Sequence, residues 1–340
     1  MGNFLYYLLP AILFSAYFKY TGNEMAMFFA ACISIIPLAG IMGEATENLA
    51  CYTGERVGGL LNATFGNATE LLITIFALQA GLFEVVKASI AGSILGNILL
   101  VLGLSIFVGG IKHGSQKFNR VHINNQTSLM FLATIALIIP AVFFQTAKQH
   151  VVLHEFSLAV AGILLLLYIA GLFFASRQKV ESCELAEAEW SKTKSIIMLA
   201  LSTAFIALES EFLVSGIESV TSVLGWSEFF IGIIIIPIIG NAAEHFTAII
   251  MASRNKIDLA FEIAVGSSTQ IALLVTPILI FLSLAFAKPM DMLFNYHEVV
   301  VVALAVFTAQ LISHDGESNW LEGAMLVAAY IMIAIAFFFL

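Results

Sequence analysis

The stretch Gly-Asn-Ala-Thr-Glu at residues 66–70 recurs as Gly-Asn-Ala-Ala-Glu at residues 240–244, 174 positions further along the chain. The same offset relates Gly92 to Gly266 without any gap. Apolar matches arise easily in a hydrophobic chain, whereas a matched Gly-Asn-x-x-Glu does not. The chain therefore consists of two similar halves, and this repeat decides the fold.

The composition places both halves in a membrane. Of the 340 residues, 60% are hydrophobic and 11% are charged, whereas a soluble domain carries about 25% charged residues. A soluble fold and intrinsic disorder are therefore excluded. At about 20 apolar residues per crossing, the length allows about ten or eleven transmembrane helices. The net charge of −9 and the lack of a basic cluster exclude nucleic acid as a partner.

The predicted fold is an all-α polytopic membrane protein with eleven helices. Residues 1–22 form a peripheral first span, residues 23–176 and 194–340 form two repeats of five spans, and residues 177–193 form a cytoplasmic linker. The spans are predicted at 4–18, 25–51, 57–79, 84–110, 127–147, 154–176, 194–223, 228–252, 257–286, 297–314 and 319–340. Because each repeat has an odd number of spans, the two repeats are inverted. Inverted repeats are typical of secondary transporters, whose site lies at the midplane.

The cations of the connections predict the orientation. Ten of the 14 Lys and Arg lie in even-numbered connections, and four lie in odd-numbered ones. The ten are Arg56, Lys112, Lys117, Arg120, Arg177, Lys179, Lys192, Lys194, Arg254 and Lys256. By the positive-inside rule the even connections are cytoplasmic. The N-terminus is then cytoplasmic, and the C-terminus is external.

The linker has a mixed charge and carries Cys183, one of three cysteines whose spacing fits neither a disulfide nor a zinc site. Two interpretations of the linker stay open: a solvated hinge between the halves, or a regulatory loop that senses cations.

Charged groups in the middle of the spans are all acidic. An ionised side chain at the bilayer centre costs about 2.5–3.5 kcal/mol, yet seven acidic residues, and no Lys or Arg, lie in the middle of a span. They are Glu44, Glu47, Glu70, Glu209, Glu211, Glu218 and Glu244. The restriction of mid-span charges to acidic residues predicts a pathway for cations.

The two repeated motifs predict the ion site. Each glutamate follows an asparagine by three residues, so carboxylate and amide share one helical face. The preceding glycines are predicted to interrupt the helices and free carbonyl oxygens. Ca²⁺ takes six to eight oxygen ligands in a flexible shell, and two carboxylates balance its charge. The predicted site comprises Glu70, Glu244, Asn67, Asn241, Gly66 and Gly240. The alternative is a pair of protonated glutamates that only hydrogen-bond the bundle.

Further polar residues near these motifs have predicted accessory roles. The next helix of each half supplies Ser93 and Asn97, and Ser267 and Gln270. They are expected to bind the ion or to support its ligands, although small residues there also allow close helix packing.

A third group is assigned to the proton pathway or to gating: Glu47, Glu218, Glu211 and His245. An imidazole titrates near neutral pH and suits proton access; a packing histidine is the alternative. Glu44 and Glu209 are expected nearer an interface and are left out of the site.

The motifs resemble those of the calcium/proton antiporters of the calcium/cation antiporter superfamily. The resemblance rests on residues 58–70 and 240–245, with support from residues 92–97, 266–271 and 45–50, and it covers about residues 25–340. It implies eleven helices with two inverted five-helix halves, and it implies that Glu70 and Glu244 bind Ca²⁺ and also carry the exchanged protons. It further implies that Glu47 and Glu218 lie on two mobile helices that switch access.

Two departures from the family pattern shape the expectation. The long acidic linker of some members is a short stretch of mixed charge here, and the long N-terminal extension of many vacuolar members is missing from this sequence. The second departure favours a multi-pass protein of the cell membrane.

The expected function is secondary active transport that exports cytosolic Ca²⁺ in exchange for H⁺. The expected partners are Ca²⁺, H⁺ and the lipid bilayer, with no resident cofactor. One alternative is a sodium-coupled exchanger of the same fold, whose relatives carry an acidic residue where this chain has Gln270. Another is a cation channel, which needs a continuous pore, usually built by symmetric subunits. An enzyme is not expected, because the sequence holds no nucleophile–base pair and no metal motif.

Overall fold

The structure is a computed structural model that describes residues 5–144, 150–177 and 188–340. Helices dominate these residues, which confirms the predicted fold class. The helices are α1 Ala11–Thr21, α2 Glu24–Phe65, α3 Ala68–Ala80, α4 Phe83–His113, α5 Arg120–Phe144, α6 His150–Arg177, α7 Lys192–Leu224, α8 Glu228–Gly240, α9 Ala242–Ser253, α10 Ile257–Ala285, α11 Tyr296–Ile312 and α12 Trp320–Phe338. Two short strands, β1 Gln116–Lys117 and β2 Glu317–Ser318, pair antiparallel.

Seven of the described helices are long and apolar enough to cross a membrane. They are α2 over Glu24–Thr53, α4, α5, α6, α7, α10 and α12. The pair α8 and α9 forms an eighth, with a bend of 58° at its break, and α3 and α11 are shorter apolar helices. The predicted first span is the 11-residue helix α1, preceded by a single 3-10 turn at Leu5–Leu8. At 1.5 Å per residue, α1 extends about 16 Å, about half of the hydrocarbon core.

Helix α2 turns back on itself between its two predicted spans. Its 42 residues would extend about 63 Å if straight, twice the thickness of the hydrocarbon core. A Cβ added at Gly58 would lie 2.9 Å from the Cβ of Ala50, although eight positions of a straight helix are about 12 Å apart. Residues 57–65 therefore lead the chain back toward the midplane, where α3 continues.

The connections collect at two ends of the bundle. At one end β1 pairs with β2, and His113 Nε2 lies 2.9 Å from the carbonyl oxygen of Ser253. At the other end the Lys87 ammonium forms an ion pair with Asp291 at 2.5 Å. The first end, here called the cation-rich end, carries residues 112–120 and 253–256, whose cations are predicted to be cytoplasmic.

The predicted linker lies mostly outside the described residues, and Cys183 is among those that are not described. Its last residues are fixed on α2 at the cation-rich end. The Trp190 backbone N–H donates to Asn48 Oδ1 at 2.9 Å, and the Tyr52 hydroxyl donates to the Trp190 carbonyl at 2.7 Å. The ammonium of Lys194 lies 4.0 Å from the centre of the indole ring. The second half is thus attached to the first where α7 begins.

Three π-helical segments mark the centre of the bundle: Gly96–Val101 in α4, Ile231–Ile235 in α8 and Ile271–Val275 in α10. Such segments are rare and frequently occur at functional sites. The segments in α4 and α10 are repeat counterparts. The first begins at Gly96, directly before Asn97, and the second begins directly after Gln270, so each changes the direction of the polar face of its helix near the repeated motifs.

Candidate functional site

Both repeated motifs lie at helix breaks, and the asparagines make the breaks. Asn67 separates α2 from α3 with φ −103° and ψ 20°, and Asn241 separates α8 from α9 with φ −93° and ψ 7°. These angles lie in the sparsely populated bridge region. Gly66 has the helical angles φ −54° and ψ −48°, and Gly240 is the last residue of α8. The helices are thus interrupted at both predicted motifs, and the asparagines rather than the glycines have the angles that depart from the helix.

The glycines instead make room for the glutamate of the opposite half. A Cβ at Gly240 would lie 3.0 Å from Glu70 Oε1, and a Cβ at Gly66 would lie 3.6 Å from Glu244 Oε1. The contact is reciprocal, as the repeat requires. The structure thus brings the two predicted carboxylates to one place between the halves.

A hydrogen-bond network holds Asn67 from both sides. Its Nδ2 donates to Gln270 Oε1 at 2.7 Å, and its Oδ1 accepts from the Ser267 hydroxyl at 2.8 Å. Asn97 Nδ2 donates to the same hydroxyl at 3.1 Å. Three of the four predicted accessory residues therefore belong to one network that joins α4, α10 and the break at Asn67.

Asn241, the repeat counterpart, is held from one side only. Its Nδ2 donates to the Ser93 hydroxyl at 3.3 Å and to the Pro237 carbonyl at 3.1 Å. Its Oδ1 is buried and has no hydrogen-bond partner among the described residues. The two asparagines therefore differ in how their amide oxygens are used.

Four buried oxygens at this place lack a partner within the described part of the chain: both carboxylate oxygens of Glu70, Oε2 of Glu244 and Oδ1 of Asn241. The side chains of Glu70 and Asn241 are only 3% and 1% exposed. Burying such groups without a partner is costly. The described ion pairs, Lys87–Asp291 and Lys117–Glu317, involve neither glutamate. An arrangement of this kind attracts a cation or protons.

Helix packing closes one side of the site and leaves space on another. A Cβ at Gly92 would lie 2.0 Å from the Ile233 carbonyl oxygen, so α4 and α8 cross there in direct backbone contact. On the side of α6, a cavity of about 150 Å³ reaches Asn67 and is lined by Thr64, Leu71 and Tyr168. This volume is large enough for several water molecules, each of which occupies about 30 Å³ in the liquid.

The residues predicted for gating do not join the carboxylate pair. Glu47 lies exposed on α2, and Glu211 and Glu218 lie exposed on one face of α7. Among the described residues no hydrogen bond connects them with Glu70 or Glu244. His245 lies beside the pair in sequence, and its Nε2 is buried without a described partner. Its assignment to proton access stays a prediction.

Sequence reasoning missed a fully buried glutamate. Glu209 is expected near an interface, but its side chain is 0% exposed, and it accepts a hydrogen bond from the Ser15 hydroxyl at 2.7 Å. It therefore ties α1 to α7. The signal was present in the sequence: Ile206, Glu209 and Leu213 follow the three- and four-residue spacing of one buried helix face, whereas Glu211 does not.

A second buried glutamate, Glu298, has a structural role. It lies at the start of α11, and its carboxylate accepts from the Asn295 backbone N–H at 2.6 Å within a capping box. The Asn-x-x-Glu spacing is a recognisable sequence signature of such a box.

Comparisons with known proteins identify the family of the chain. A family model described as sodium/calcium exchanger protein matches residues 23–177 and 194–339. The Ca(2+)/H(+) antiporter ChaA of Bacillus subtilis is 46% identical over 325 residues, which cover 92% of each chain. The Ca(2+)/H(+) antiporter of Aphanothece halophytica is 42% identical over 339 residues, 93% of this chain and 91% of its own. The solved structure of native YfkE superimposes with a TM-score of 0.89 and 44% identity, and the match covers 99% of this chain and 100% of that one.

Proposed function

Because the chain belongs to the sodium/calcium exchanger protein family, we propose that it is a multi-pass membrane antiporter that exchanges Ca²⁺ for H⁺. Glu70 and Glu244 are the groups that both ions share. The names of the two relatives described above, each a Ca(2+)/H(+) antiporter at more than 40% identity, support the choice of ions.

The observation that carries the proposal is the set of four unpartnered buried oxygens between the halves. Two come from Glu70, one from Glu244 and one from Asn241. Ca²⁺ prefers carboxylate and amide oxygens, and the two carboxylates supply the two negative charges that a divalent ion requires. Without the ion, the same carboxylates need protons, since an ionised carboxylate is costly in a buried site.

Coupling follows from this mutual exclusion. The ion-loaded site and the doubly protonated site are both close to neutral, so each can change access across the membrane at low electrostatic cost. A site with two bare carboxylates, or with an ion and two protons, carries an unbalanced charge. Exchange of one ion type for the other is therefore the favoured cycle, and alternating access of an inverted repeat provides the route.

A sodium-coupled exchanger of the same fold is the second candidate. Gln270 argues against it, because a neutral amide occupies this position and its Oε1 is engaged by Asn67 at 2.7 Å. A site with two carboxylates has fewer charges to offer several sodium ions.

The orientation follows from the charges at the ends of the bundle. The cation-rich end is the cytoplasmic one by the positive-inside rule, so the N-terminus is cytoplasmic and the C-terminus at Leu340 is external. The protein resides in the cell membrane, exports Ca²⁺, acts as a transporter rather than an enzyme, and needs no resident cofactor, since Ca²⁺ and H⁺ are its cargo.

Purified protein in proteoliposomes tests the proposal. Vesicles that are acidic inside and placed in neutral buffer with Ca²⁺ should accumulate Ca²⁺ without sodium, and an ionophore that collapses the pH gradient should stop the uptake. Uptake that requires a sodium gradient and ignores the pH gradient would favour the sodium-coupled alternative.

A further inference from the structure

The two ion-site helices α4 and α10 are repeat counterparts, but they differ at the position of Gln270, which faces the site. The offset of 174 residues relates Gly96 to Gln270. Gln270 reaches across to Asn67. Around the position that a Cβ would take at Gly96, no heavy atom of another described segment lies within 4 Å. The first half therefore has open space where the second half has a side chain.

This space adjoins Asn241. Ser93 lies one helical turn before Gly96, on the same helix face, and its hydroxyl accepts from Asn241 Nδ2 at 3.3 Å. In the other half, Ser267 lies one turn before Gln270, and its hydroxyl donates to Asn67 Oδ1 at 2.8 Å, the reverse of the bond between Asn241 Nδ2 and Ser93. The unpartnered Oδ1 of Asn241 and the open space beside Gly96 thus belong to one corner of the site.

The asymmetry has a chemical consequence for the ion. Glu70 and Glu244 together offer at most four oxygens, and Asn241 Oδ1 makes five. Ca²⁺ takes six to eight oxygen ligands and accepts water among them. Asn67 has one bond on its oxygen and one on its nitrogen, so its amide is already committed to α10.

On the basis of the proposed function, we infer that the corner between Gly96 and Asn241 is a water site of the ion shell. Asn241 Oδ1 and at least one water molecule beside Gly96 are ligands of the transported Ca²⁺. Asn67 is a positioning residue that fixes α10 and contributes no ligand. The ion therefore crosses the membrane partly hydrated, with its coordinated water on the side of α4.

Variants at position 96 test this inference. Gly162→Ala on α6, where no described atom lies within 4 Å of an added Cβ, is the matched control, and its Ca²⁺ affinity should stay within twofold of wild type. Gly96→Leu and Gly96→Gln fill the corner, and each should weaken Ca²⁺ binding tenfold or more. The measurement is the equilibrium Kd for Ca²⁺ by calorimetry on the purified full chain, with the thermal midpoint of unfolding as a check of the fold.

The outcomes separate this inference from the proposed function. If the wild type binds Ca²⁺ and both large variants bind equally well, the water site is refuted and the function stands. If Gly162→Ala loses as much affinity as the large variants, the loss is not specific to the corner and the inference also fails. If a large variant does not fold, a high-resolution map of the Ca²⁺-loaded wild type decides. A water molecule bound to the ion beside Gly96, next to a directly coordinating Asn241 Oδ1, is expected, and a dry corner would overturn the inference. A wild type without Ca²⁺ binding would refute the proposed function itself.

Discussion

Replacing Glu70 by glutamine removes one of the two negative charges that balance the charge of the ion, while the shape of the side chain is kept. Glu70 is 3% exposed and has no partner for either oxygen among the described residues, so the ion is its counter-charge. At an effective dielectric constant of about 20, two unit charges 4 Å apart attract by about 4 kcal/mol. Because a tenfold change in affinity corresponds to about 1.4 kcal/mol, Glu70→Gln should weaken Ca²⁺ binding about a thousandfold or more.

Glu209→Gln is the matched control for this substitution. Glu209 is also fully buried in a span, but it bonds Ser15, and an amide oxygen can accept the same hydrogen bond. We expect transport within about twofold of wild type for Glu209→Gln and loss of transport for Glu70→Gln. The assay is Ca²⁺ uptake into proteoliposomes, together with calorimetric Ca²⁺ binding and a thermal melt. Uptake by Glu70→Gln near the wild-type rate would refute the two-carboxylate site, as would equal loss in both variants.

Three further outcomes are expected. Gly240→Ala places a methyl group 3.0 Å from Glu70 Oε1 and should lower Ca²⁺ affinity at least severalfold, whereas Gly162→Ala, which meets no described atom within 4 Å, should leave calorimetric binding unchanged. Glu317 lies outside the membrane, where hydrogen bonds from Lys117 and then Ser115 lower its pKa below 4.5. Its contribution to stability is present above the usual pKa of a glutamate and is lost only as the pH falls through the lowered pKa. Glu317→Gln should therefore not alter the dependence of transport on pH between pH 5 and 9. Cys183 should resist an impermeant thiol reagent applied outside intact cells that express a Cys51→Ser variant, and labelling from outside would reverse the proposed orientation.

The sequence allowed the helical fold to be predicted, because a repeated Gly-Asn-x-x-Glu and the hydropathy suffice for that purpose. It also located both helix breaks within a residue. It did not show that the asparagines have the non-helical angles at the breaks, or that the glycines leave space for the glutamate of the opposite half. A contact between halves that are 174 residues apart cannot be seen along one helix.

The asymmetry of the two asparagines could not be predicted from their motifs either. Asn67 and Asn241 occupy equivalent positions, but Asn67 donates to Gln270 and accepts from Ser267, whereas Asn241 donates to Ser93 and its Oδ1 has no partner among the described residues. That difference depends on a helix from the opposite half. The burial of Glu209, by contrast, was predictable from the periodicity of α7.

The most direct test of proton-coupled exchange is whether a Ca²⁺ gradient alone moves protons across the membrane and builds up a pH gradient. Proteoliposomes with equal pH on both sides, no sodium and a membrane potential clamped by potassium and valinomycin receive Ca²⁺ outside, while dyes inside report Ca²⁺ and pH together. Proton-coupled exchange predicts that Ca²⁺ enters as the interior becomes alkaline, and that neither signal occurs with Glu70→Gln. Ca²⁺ entry at constant internal pH would contradict proton coupling.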